Sequence, residues 1–73
     1  MNNDYVIRMA NQIGLFFDSM PDAQEGRRDL ATHIRKFWDP RMRRAFLEQI
    51  DQDGGQDLSA IVRQAVQEHR AML

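Results

Sequence analysis

Phe37-Trp38-Asp39-Pro40-Arg41-Met42-Arg43-Arg44 stops one helix and starts the next within a few residues, and that punctuation decides the fold. The residue before a proline avoids helical geometry, so a helix that reaches Phe37 must stop near Trp38. Asp39 followed by Pro40 is a compact restart signal: a capping acid, then proline at the first helical position, where a missing N–H leaves nothing unpaired. Downstream, Met42, Phe46 and Ile50 recur at i, i+4 and i+8, with Ala45 and Leu47 beside them. Asp53-Gly54-Gly55 closes that helix, one glycine supplying a left-handed C-terminal cap.

The same signals recur on both sides. Asp22 reads as an N-cap with Glu25 three residues on in the capping-box position. The helix it opens carries Leu30, Ile34 and Phe37 on its inner face. Ahead of it, a helix from about Asn3 to Ser19 shows Val6, Met9/Ala10, Ile13, Phe16/Phe17 and Met20 at helical spacing, and Met20-Pro21 ends it. Gly14 interrupts this stripe at a cost of about 1 kcal/mol relative to alanine if exposed, which a close helix crossing would explain. After the glycines, Asp57 or Ser59 caps a fourth helix bearing Leu58, Ile61/Val62, Ala65/Val66, His69 and Met72/Leu73. No strand pattern occurs anywhere. Connections this short predict an all-α protein, a small compact bundle of about four short helices forming one domain over residues 1–73.

Seventy-three residues bury little: a single core of this size rarely supplies more than roughly 3–5 kcal/mol of net stability. The chain has no cysteine and only two histidines, so disulfides, thiolate metal sites and a structural zinc are not expected. Such a domain packs unusually well or leans on a partner, its own copy or another chain. With 42% hydrophobic and 29% charged residues the composition is that of a globular domain. No apolar run approaches the ~20 residues of a membrane helix, and Met1-Asn2-Asn3-Asp4-Tyr5 lacks the basic start and apolar stretch of a signal peptide. The expectation is a cytoplasmic protein without membrane contact.

The net charge of −1 hides an arrangement. In residues 1–26, Arg8 against Asp4, Asp18, Asp22 and Glu25 leaves −3; in residues 27–44, seven basic residues against Asp29 and Asp39 leave +5; residues 45–73 return to −3. The basic middle either neutralises the acidic flanks or meets an anionic partner.

Catalytic patterns are thin. His33 and His69 lie far apart with no metal-binding spacing between them, and each sits at the edge of an apolar stripe, where packing is the usual role. Ser19 and Ser59 stand beside cap signals, not in a nucleophile elbow. Gly54-Gly55 follows a helix and lacks the Lys-Ser/Thr ending of a phosphate loop. The methionines fall at helical spacing as core filler.

The segment after Trp38 breaks a local rule. Helix starts carry partial positive charge and prefer anions, yet Arg41, Arg43 and Arg44 crowd this one. A broken rule without visible compensation points to function, here a receptor for carboxylate or phosphate, or a docking surface anchored by Trp38. Trp38 filling the core, with Arg43 across its indole, is the competing reading, and the residues alone leave both open. A small helix-turn-helix nucleic-acid binder is a weaker alternative, because the flanks are acidic and no polar recognition face is present.

Met9-Ala10-Asn11-Gln12-Ile13-Gly14-Leu15-Phe16-Phe17, then His33-Ile34, Phe37-Trp38-Asp39-Pro40-Arg41-Met42-Arg43, and Gly54-Gly55 with Leu58 resemble the delta subunit of soluble NAD-dependent formate dehydrogenases. The likeness runs from about Tyr5 to Met72, and the Phe-Trp-Asp-Pro-Arg-Met-Arg string is its most specific part. It implies a cytoplasmic, multi-subunit oxidiser of formate to carbon dioxide. In that family a large alpha subunit carries the molybdenum or tungsten bis-pyranopterin guanine dinucleotide centre and iron–sulfur clusters. Beta and gamma subunits carry FMN, further clusters and the NAD site. The delta subunit binds no cofactor, does no chemistry and serves assembly or stability, with a transient role in maturing the alpha subunit as the variant. The lack of cysteine agrees, since a cluster-binding subunit needs thiolates. The expected partner is the alpha subunit, met through Trp38, Arg41, Arg43 and Arg44 with His33 and Arg35 nearby.

Overall fold

The computed structural model describes residues 3–73; the expectation drawn from Met1 and Asn2 lies outside them. Four α-helices run in order: α1 (Asn3–Asp18), α2 (Ala23–Phe37), α3 (Pro40–Asp53) and α4 (Ala60–His69), closed by a 3-10 turn at Arg70–Met72. No strand occurs among the described residues, and the all-helical reading holds.

The punctuation residues act as their types require. Asp22 accepts from the Glu25 N–H at 3.1 Å and Asp39 from the Met42 N–H at 2.9 Å, satisfying one orphan donor at each helix start. Pro40 occupies the first turn of α3. Gly54 caps its end at φ 72°, and Gly55 follows at φ 73°, a region open to glycine without steric cost. The Asp53 carboxylate frames this turn, accepting from Gln49 Nε2 at 2.7 Å and from the Gly55 N–H at 2.8 Å.

The start of α4 departs from expectation. Ser59 holds the N-cap position but makes no capping bond with its side chain. Asn11 of α1 holds the residues before the helix instead, accepting from the N–H of Ser59 itself at 2.9 Å and donating to the Asp57 carbonyl at 3.0 Å. One side chain thus fastens the loop before α4 onto α1. One turn further along, Gly14 meets α4 so closely that a Cβ there would lie 2.8 Å from Val62 Cγ2. This is the close crossing that the glycine suggested.

One core joins the four helices: Val6 and Ala10 from α1, Leu30 and Ile34 from α2, Phe46 from α3, Val62, Ala65 and Val66 from α4, and Trp38 from the α2–α3 junction. Phe46, Leu30, Ile34, Val6 and Val62 are its largest fully buried side chains, each contributing about 1.5–3 kcal/mol by leaving water. Phe37 is a correction. It was expected inside, but it is 72% exposed: α2 ends at Phe37, and Trp38, in extended backbone just beyond it (φ −85°, ψ 136°), turns into the core instead.

Candidate functional site

The α2–α3 junction compensates internally for part of its odd charge. Arg43, in the second turn of α3, sends Nη1 back to the end of α2, donating to the Trp38 carbonyl at 2.7 Å and the Arg35 carbonyl at 3.1 Å. Those carbonyls are unpaired by helix geometry, and a cation is favoured at that end of the dipole. Arg43 therefore opposes the start of its own helix while serving the end of its neighbour.

Trp38 is only 4% exposed, its ring set edge-on to Phe46 at 5.3 Å. The folded chain offers no indole face to a partner, so the surface-anchor expectation for Trp38 gives way to the core-filling one. Arg43 reaches Trp38 through the carbonyl, not across the indole. Of the remaining residues, Arg35, Arg41 and Arg44 are exposed, as is Lys36. The junction thus keeps a cationic surface whose rigid centre is the buried tryptophan.

His33 lies to one side, in a different setting. It is half-buried on α2 and lies between Phe17 of α1, met edge-on with ring centroids 5.8 Å apart, and Phe37, tilted against it at 4.8 Å. Phe17 in turn meets Phe16 edge-on at 5.0 Å. The two end members are open to solvent, Phe16 at 69% and Phe37 at 72%. The result is a continuous row of four rings along the seam between α1 and α2, half-covered in the middle and bare at both ends. Tyr5, itself 49% exposed, lies on the same outer line of α1 as Met9, Gln12 and Phe16, at spacings of four, three and four.

Sequence reasoning missed Phe16 and Phe37 as surface residues by assigning both to inward stripes. For Phe16 the signal was present in the doublet Phe16-Phe17, since two adjacent helical side chains cannot both face one core. Asn11 was missed as a structural residue as well; its clue was a polar amide three residues from Gly14, on the same helix face.

The Gln49 amide and the Gly55 N–H hold the Asp53 carboxyl below its ordinary value, and Asp51 raises Arg70 through a 2.8 Å hydrogen bond. His69 approaches the Glu68 carboxylate only to 3.8 Å. Among the described residues no three His, Asp or Glu side chains are grouped to hold a metal ion, and no helix is long and apolar enough to cross a membrane.

No curated protein and no solved structure matches the chain. The sequence profile of the NADH-dependent formate dehydrogenase delta subunit FdsD matches residues 5–66, which spans all of α2 and α3, nearly all of α1 and most of α4. The chain belongs to the NADH-dependent formate dehydrogenase delta subunit family.

Proposed function

We propose that this chain is a non-catalytic accessory subunit of a cytoplasmic NAD-dependent formate dehydrogenase. It docks on the catalytic alpha subunit and supports the assembly, stability or maturation of the complex, forming one domain throughout. It binds no cofactor itself. The molybdenum or tungsten centre, the iron–sulfur clusters, FMN and the NAD site belong to the partner subunits, which carry out formate oxidation.

The observation that carries this reading is the family match over residues 5–66. Family members are subunits, and a subunit must present a surface to others. The exposed Arg35, Arg41 and Arg44 beside the rigid α2–α3 junction suit a partner carrying carboxylates, because guanidinium forks bind them in fixed geometry. Trp38 and Arg43 support that surface from beneath.

Co-expression with the other subunits tests this. Arg41→Ala combined with Arg44→Ala is expected to leave the thermal melt of the isolated chain nearly unchanged, since exposed substitutions stay within about 0.5 kcal/mol. The same pair should weaken copurification and make it more salt-sensitive. Undiminished copurification would remove the arginines from the interface. Native mass spectrometry of active complex should find the chain at fixed stoichiometry; its absence from active complex would replace the permanent subunit with a transient chaperone.

A further inference from the structure

The ring row on the α1–α2 seam has no task in the reading above. Phe16 and Phe37 leave more than two thirds of their surface in water, and moving an aromatic side chain out of water is favourable. Scattered exposed apolar residues are ordinary, but four rings in unbroken contact at 5.0, 5.8 and 4.8 Å form a patch of the kind that marks an interaction site. The half-buried Phe17 and His33 make a floor, and Phe16 and Phe37 stand at its ends on two neighbouring helices. An apolar seam between two helices accepts a third through its apolar ridge.

Charge gives the occupant a direction. At the Phe37 end stand exposed Lys36, one turn beyond His33, and exposed Arg41, just past the turn. Toward the start of α2 stand the exposed Glu25 and the half-exposed Asp29, one turn before His33. A complementary helix therefore carries carboxylates over the Phe37 end and cations over the Asp29 end. Helices favour acids at their N-terminus and bases at their C-terminus. The charge order thus sets such a helix antiparallel to α2.

We propose that the α1–α2 seam built by Phe16, Phe17, His33 and Phe37 is the anchor site for an amphipathic helix of another subunit of the complex. That helix lies antiparallel to α2, with a large apolar side chain on Phe17 and His33 and acidic residues toward Lys36 and Arg41. This rests on the accessory-subunit reading and adds to it an apolar anchor beside the cationic surface. In interfaces of this kind a few buried aromatic residues carry most of the affinity, and rim charges mainly set encounter rate and register.

The test uses the co-expressed complex. A photo-crosslinking phenylalanine analogue in place of Phe37 should join the chain to another subunit, in a peptide with apolar residues at three- and four-residue spacing and Asp or Glu at its N-terminal end. The same analogue at exposed Arg63 on α4 should not label that peptide. Separately, Phe16→Ser with Phe37→Ser should reduce retention in the complex ~10-fold or more, while the melt of the isolated chain changes little. Crosslinking to a second copy of this chain, no crosslink from position 37, or a segment without that pattern overturns the proposal. So does full retention of the double variant where the unaltered chain copurifies. If the unaltered chain itself fails to copurify with formate dehydrogenase subunits, the accessory-subunit reading falls first.

Discussion

Arg43 and Trp38 show how one residue's role depends on an element it does not belong to. On its own helix Arg43 is misplaced, yet its guanidinium closes the two open carbonyls of Arg35 and Trp38. Trp38 sits on the hinge between those helices, with its ring against Phe46 and its carbonyl under Arg43. Trp38→Ala is therefore expected to act on stability. Truncating a buried aromatic costs about 3–5 kcal/mol, on the order of the whole net stability of a core this small. Circular dichroism should show the cooperative melt lost or moved far down in temperature; a variant melting like the unaltered chain would put the indole outside the core. The tryptophan's inward direction was not legible locally, because Phe37 and Trp38 are both apolar and only the position of α3 selects between them.

Among the elements, α1 is the one that the others are fastened to. Its Asn11 holds the loop before α4 by two hydrogen bonds, and its Gly14 lets α4 approach. Gly14→Ala sets two effects against each other. Alanine improves helix propensity by about 1 kcal/mol, but its methyl would sit 2.8 Å from Val62 Cγ2, and overpacking costs about 1–3 kcal/mol. The steric term should win because both backbones are fixed at the crossing, giving a lower urea midpoint. Combining it with Val62→Ala should give less than the sum of the two losses, the coupling expected of residues in contact. Full additivity would mean that the helices do not touch there. The crossing was readable from a glycine inside an apolar stripe. The Asn11 clamp was not, since its partners are 46 and 48 residues away in the chain.

At the scale of the whole molecule the radius of gyration is 11.0 Å, about that of a fully packed chain of this length. The acidic flanks fold back on the basic middle in part: Arg27 of α2 approaches Glu68 of α4 at 2.6 Å, an ion pair whose Nε–H makes no hydrogen bond. Arg70 binds Asp51 at 2.8 Å on the surface, where such pairs contribute little. Acid stability has a clearer origin in Asp53. Its folded pKa lies below the ordinary 3.8, chiefly through the Gln49 amide and then the Gly55 N–H. That contribution is fully present above the unfolded value and is lost as pH falls through the folded one. Asp53→Asn should therefore lose less stability than the unaltered chain as pH falls below the ordinary aspartate range, read as urea midpoints. An unchanged acid slope would remove Asp53 as a source.

The helices, their order and the ends of α2 and α3 were determined by local chemistry: Asp22 and Asp39 accept bonds from N–H groups three residues away, Pro40 stops one turn and starts another, and Gly54 reverses the chain. Each of these effects acts within a few residues, so it can be read without a fold, and the family string lies across the same positions. What faces inward was decided by packing. Phe37 and Phe16 fit an apolar stripe as well as their neighbours do, and only the placement of α3 and α4 left them in water while drawing Trp38 in. Arg43 likewise fell into a structural role because the end of α2 lay within its reach. A docking surface made of what the core leaves uncovered becomes visible only when the core is complete.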